Sequence, residues 1–112
     1  MTPNYQLIRR AILSRNIVTA YYDNHYRELC PHVIGTDEDG TEKAFFYQFG
    51  GHTSGGPVER QPAANRWRCF FIAKMSQVQI RSANGAWHTS PNYADAQTCI
   101  PALRIDAETG AA

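Results

Sequence analysis

The chain has 112 residues, room for one domain and not for two of ordinary size. Apolar residues make up 43% and charged residues 19%, which excludes an intrinsically disordered chain, and a net charge of +1 excludes a polycation that coats nucleic acid or membrane indiscriminately. The near-neutral total conceals a pattern, because residues 1–36 carry +2, 37–42 carry −4, 43–81 carry +5 and 82–112 carry −2. The acid sits in one short turn and in the tail, and the body between them is basic.

In chain order, the spacing of Tyr5, Ile8 and Ile12 predicts a helix over 4–15, with Pro3 suited to its start and Asn16 to its end. So short a helix needs a sheet to cover. The β-branched and aromatic run 17–22 reads as a strand, Asp23-Asn24 as a turn, and 26–35 as a second strand. Pro31 cannot donate to a ladder, so that strand is either an edge or broken there by a bulge. The acidic run Asp37-Glu38-Asp39-Gly40 reads as a hairpin tip. Residues 43–50, apolar on both faces, read as a central strand covered on both sides. Four glycines and two prolines make 50–65 a long loop. Strands return at 66–72 and 78–81, joined by a brief turn, and 82–112 reads as an irregular tail, landmarked by Trp87, Tyr93 and Cys99 and fraying by Glu108.

A helix followed by about five short strands predicts a mainly β domain, a small antiparallel barrel or half-open sheet over 1–81, with the tail 82–112 packed on or trailing from it. Neither a basic-then-apolar leader nor an 18-residue apolar run is present, so neither a signal peptide nor a membrane span is expected. Three cysteines cannot all pair within the chain, and with no leader the expectation is reduced thiols and a cytoplasmic location.

The order of these features resembles the WYL domain, a bacterial module. The helix carries the Ala11-Ile12 pair, a strand with Tyr21 and Tyr22 follows, and Arg27 and Pro31 form the Arg-x-x-x-Pro segment. Phe46-Tyr47-Gln48 stands where that family has Trp-Tyr-Leu, and Arg68-Cys69-Phe70-Phe71-Ile72-Ala73-Lys74-Met75 matches its closing motif. Two departures stand out. Gln48 puts a polar group in an apolar position, and Lys74 replaces a planar guanidinium with a point charge. The resemblance covers roughly residues 7–80 and implies an SH3/Sm-like antiparallel barrel with an N-terminal helix. It also implies a ligand-sensing or nucleic-acid-binding module, not an enzyme and without a cofactor, that takes a nucleotide-like anion or single-stranded nucleic acid on a basic, aromatic face. Such domains usually follow a winged-helix DNA-binding domain; no helix-turn-helix segment occurs here, so a stand-alone version is expected.

The candidate ligand-binding residues are Arg27, Arg66, Arg68, Lys74, Tyr22, Tyr47 and His32. Guanidinium groups grip phosphate bidentately, and Arg66 and Arg68 are two apart, on one face of a strand. The competing reading is a solvated strand surface paired with Glu28 or Glu42. Aromatics beside arginine can stack on bases, whereas Phe46, Phe49 and Phe70 are expected in the core. Tyr22 and Tyr47 suit a site better, since a phenol keeps one end in water. Cys30-Pro31-His32 sets a thiol and an imidazole two residues apart, but a zinc site wants four ligands, so neither a metal nor a thiol enzyme is expected. Gly50 to Gly56 lacks the GxxxxGK[ST] pattern and reads as a connection that could act as a lid. The rival function is protein–protein docking or self-association through an exposed strand edge.

Overall fold

A computed structural model describes residues 2–82, 87–89 and 91, together with the backbone of 102–106. Helix α1 spans Pro3–Ser14. Thr2 caps it by accepting a hydrogen bond from the Tyr5 amide at 3.3 Å, and its own hydroxyl donates to Glu42 Oε1 at 2.6 Å, so the helix start is tied to the start of a strand. Arg15 ends the helix in the left-handed conformation (φ 55°, ψ 44°), and the Asn16 amide donates back to the Ala11 carbonyl. Tyr5, Ile8, Ala11 and Ile12 form its buried face.

The strands are β1 Ile17–Tyr22, β2 His25–Thr36, β3 Glu42–Thr53, the two-residue β4 Gly56–Pro57, β5 Trp67–Phe71, β6 Ser76–Arg81 and β7 Ala102–Asp106. The fold is mainly β: six antiparallel strands in one sheet, plus β4 on the end of β3. Asp23 and Asn24 both have positive φ (52° and 62°), which matches the twist of the tight β1–β2 hairpin. β2 lies inside the sheet, and its ladder with β3 shifts register between Pro31 and Val33, so Pro31 is accommodated by a bulge with His32 as the extra residue. β3 is central, with Ala44 to Gln48 buried continuously, as a strand covered on both faces requires.

The ladder runs β5–β3–β2–β1–β6, so β5 and β6 occupy its two ends although they are neighbours in the chain. A flat sheet would hold strands four spacings apart at about 19 Å. The link from Phe71 to Ser76 consists largely of a 3-10 turn, Ile72–Lys74, and spans no more than about 13 Å. The sheet must therefore curl, and register shifts in β1, β2 and β3 supply bends. No β5–β6 ladder occurs among the described residues. The helix covers the concave face, where Ile8 and Ile12 pack with Val18, Leu29, Phe46 and Ile72, each worth about 1.5–3 kcal/mol when buried.

Two segments differ from the sequence reading. Residues 50–53 continue β3, and 56–65 hold β4 and two 3-10 turns, Val58–Arg60 and Ala63–Asn65, in place of a long loop. The glycines serve strand packing: Gly51 has φ +85°, and a Cβ there would collide with the main-chain carbonyl of Tyr26 on β2. Residues 102–106 form a strand beside the second half of β2, where an irregular tail was expected; Tyr93, Cys99 and Glu108 lie outside the described residues. Among the described residues no helix is long and apolar enough to cross a membrane.

Gly51→Ala is expected to lower stability by about 1–3 kcal/mol, measured by urea unfolding. Gly40→Ala, also at positive φ (88°) but facing open space, should cost less.

Candidate anion-binding site

Side chains alternate along β3, so Ala44, Phe46 and Gln48 share the concave face. The register places Arg68 opposite Phe46 and Phe70 opposite Ala44, and Arg27 lies across from Gly51 on the other neighbour. Of these, Arg27, Arg68 and Phe70, with Tyr22, Asp23, Thr53 and Gln61, line a cavity of about 540 Å³, and Gln48 lies behind its wall, bonded to both arginines. That size lies within the range of small-molecule sites.

The centre of the arrangement is Gln48, which is fully buried. Its Oε1 accepts from Arg27 Nη1 at 3.1 Å and from Arg68 Nε at 3.2 Å. Its Nε2 donates to the carbonyls of Gly50 (3.0 Å) and His52 (3.1 Å), which fixes the amide's orientation. Arg27, only 5% exposed, also donates to the Tyr22 carbonyl at 3.1 Å and lies over the Phe70 ring, 5.2 Å from its centroid. Its Nε finds no acceptor among the described residues. Arg68 donates further to the carbonyls of Asn65 (2.9 Å) and Trp67 (3.0 Å) and to Gln61 Oε1.

Every one of these acceptors is neutral. Among the described residues neither guanidinium has a carboxylate in salt-bridge contact, whereas Lys43 has one, Asp37 at 3.1 Å. Sharing one oxygen at 3.1 and 3.2 Å holds the two cations within about 6 Å of each other. At a separation of about 6 Å two like charges repel by ~3 kcal/mol at an effective dielectric of about 20, and solvent around half-buried Arg68 screens part of it. Burial pushes both guanidiniums below the usual arginine range. At Arg68 the charges of Arg27 and Arg66 act in the same direction; at Arg27 the nearby Asp23 and Tyr22 pull back. Both groups stay protonated at accessible pH, so the shift is a cost of holding charge there, which an anion would relieve.

Aromatic rings wall the site. Tyr22 stacks on Phe70 with centroids 3.9 Å apart and planes 13° from parallel, and its hydroxyl accepts from the Phe71 amide. Trp67 lines the same cavity.

Of the residues expected from sequence, Arg27, Arg68 and Tyr22 converge here. Arg66 stands beside them, its Nε donating to the Gln61 carbonyl at 3.0 Å. Tyr47 is buried away from the cavity, donating to the Ala63 carbonyl at 3.0 Å and meeting Trp67 edge-on. Lys74 lies outside it as well, with its Nζ 5.1 Å from the centroid of the exposed Phe71 ring, as is that of Lys43. His32 is fully buried between Trp67 and Trp87. Phe46 and Phe70 are core residues, whereas Phe49 is half-buried and stacks on His88. Neither Glu28 nor Glu42 pairs with the site arginines. Gln48 and Gln61 bond the arginines of this candidate site and were not among the residues expected from sequence; the signal for Gln48 was a polar residue within an apolar strand.

The Cys30–His32 neighbourhood is built for packing. The His88 amide donates to Cys30 Sγ at 3.4 Å, and the His88 carbonyl lies 3.3 Å from His32 Nε2. Among the described residues no three His, Cys, Asp or Glu side chains gather as metal ligands. Cys30 is a free thiol and Cys69 is disulfide-bonded, which corrects the expectation of uniformly reduced thiols and removes the chemical support for a cytoplasmic location.

No family model matches the chain, and neither a curated protein nor a solved structure matches it.

Burial pushes the Cys30 thiol up to about 11 from an ordinary value of 9.0, with the His88 hydrogen bond opposing. A thiol raised in the folded state contributes stability that is complete below pH 9 and is lost as pH rises toward 11. The unfolding free energy is therefore expected to fall by about 2–3 kcal/mol across that window, with Tyr5, raised by burial and by Glu42, acting in the same direction. Urea unfolding at stepped pH checks this, and Cys30→Ala should show a shallower fall.

Proposed function

We propose that this chain is a WYL-like, non-enzymatic binding module whose curled, SH3/Sm-type sheet holds an anionic phosphate-ester ligand between Arg27 and Arg68. One observation carries the reading: two guanidiniums that line a cavity, one of them buried, converge on a single neutral oxygen, and among the described residues no carboxylate is paired to either. A buried charge is ordinarily paired. Here the missing counter-charge is the ligand's. Oxoanions fit the planar forks, and Trp67 and the Tyr22–Phe70 stack offer apolar surface for a base or other flat group. Asp23 at the rim gives the site an acceptor as well, suited to a ligand hydroxyl or amine.

The order of the WYL-like motifs supports this reading, because Arg27 from the Arg-x-x-x-Pro segment and Arg68 from the closing motif are the two residues that meet. A second reading is docking or self-association. The exposed Tyr21–Tyr26 pair, with centroids 5.6 Å apart, and exposed Phe71 favour it. Concentration-dependent light scattering would report it.

Phosphate esters reach such a site either as free nucleotides or within a strand, so the titration has two arms, adenosine 5′-monophosphate and decathymidylate. Binding should weaken as salt rises, and at 100 times Kd the ligand should stabilise the fold by about 2.7 kcal/mol. Arg68→Gln should remain folded and lose about 10- to 150-fold in affinity, the weight of a charge-assisted hydrogen bond. A nucleotide-only response assigns the cavity to a small molecule; a strand-only response assigns it to nucleic acid. Absence of salt-dependent binding in both arms would refute the proposal.

A further inference from the structure

Gln48 does more than fill space between two arginines. An apolar side chain would occupy the same volume in this strand but leave Arg27 Nη1 and Arg68 Nε without their common acceptor. A glutamate would reach equally far and neutralise one of the two charges. The surroundings work against glutamate. The carbonyls of Gly50 and His52, 3.0 and 3.1 Å from Nε2, require a donor at that end of the side chain, and a second carboxylate oxygen would face two other oxygens there. The main chain of β3 thus selects the amide, and the amide turns a lone neutral oxygen toward the guanidiniums.

We infer that Gln48 is the positioning residue of the Arg27–Arg68 site: it holds the two guanidiniums together while leaving both charges available to the ligand. The inference rests on the anion-binding reading and deepens it. Burial of the amide, its four hydrogen bonds and the neutrality of every other acceptor on the two arginines all point the same way. Among the described residues, Asp23 is the one carboxylate lining the cavity, and it is not in salt-bridge contact with either arginine. What stands at position 48 therefore sets whether the acceptor shared by the two guanidiniums adds a counter-charge.

Two substitutions separate positioning from simple packing. With the full chain and decathymidylate or adenosine 5′-monophosphate as probe, Gln48→Glu should lower affinity at least tenfold and reduce the salt dependence of decathymidylate binding by about one charge. Gln48→Met keeps the length and the charges but removes the acceptor. It should lower affinity several-fold while leaving the salt dependence at the wild-type value. A folded Gln48→Glu protein that binds within twofold of wild type, with unchanged salt dependence, overturns the inference. If Gln48→Glu does not fold, wild-type affinity in Gln48→Met overturns it instead. A wild-type protein that binds neither probe overturns the anion-binding reading, and this inference with it; loss of binding in Arg68→Gln alongside full binding in both Gln48 variants overturns only the role of Gln48.

Discussion

The short link from Phe71 to Ser76 has to carry the chain from one end of the strand ladder to the other. Only a sheet rolled toward a cylinder allows it, since a flat one would leave a gap longer than the link can reach. Rolling creates an inside, and the inside is where the helix stripe of Tyr5, Ile8 and Ile12 is buried. It also gives the concave face ends. Where α1 does not cover it, the alternation of β3 runs past Phe46 to Gln48, and the apolar interior gives way to Arg27, Arg68 and the cavity. The curl and the site thus share one cause.

β3 is the strand on which both depend. Residues 43–47 pair with β5 and residues 42–51 with β2, so a concave-side residue within or just beyond the shared stretch can touch both neighbours. Gln48 uses that position to join an arginine from each. The arrangement is costly by itself: two cations are drawn out of water and held near each other against neutral oxygens. The hydrogen bonds to carbonyl and amide groups orient the guanidiniums but do not neutralise them. This separates the site from the ion pair at the opposite end of β3, where Lys43 meets Asp37 and the charges cancel.

Most of the secondary structure was legible because local signals were strong. Pro3 before an apolar stripe, Asp23-Asn24 between two strand-forming runs and the aromatic-rich run at 43–50 each leave one physical reading. The glycine-rich segment misled because Gly50 and Gly51 have two possible reasons to be glycine, a loop or a close approach between strands, and only the neighbouring strand shows which applies. Strand β7 was illegible for a similar reason: the ladder partner that makes residues 102–106 a strand is β2, some seventy residues earlier. Tyr47, Lys74 and His32 carry the right chemistry for a site, yet the sheet turns them elsewhere, and nothing in their local sequence records the direction.

Composition, periodicity and turn chemistry by themselves determined a mainly β fold, its helix, an interruption of the ladder at Pro31 and a basic stretch, 43–81, that contains Arg68, because these follow from contacts within a few residues. Which cations meet, which are neutralised and which oxygen stands between them was decided only by the tertiary structure. Strand register and curl bring together β2, β3 and β5, and the charge of a site depends on every group within a few ångströms regardless of its place in the chain. The net charge of +1 is thus a sum over the whole molecule, whereas the charge that matters here is that of two arginines around one glutamine oxygen.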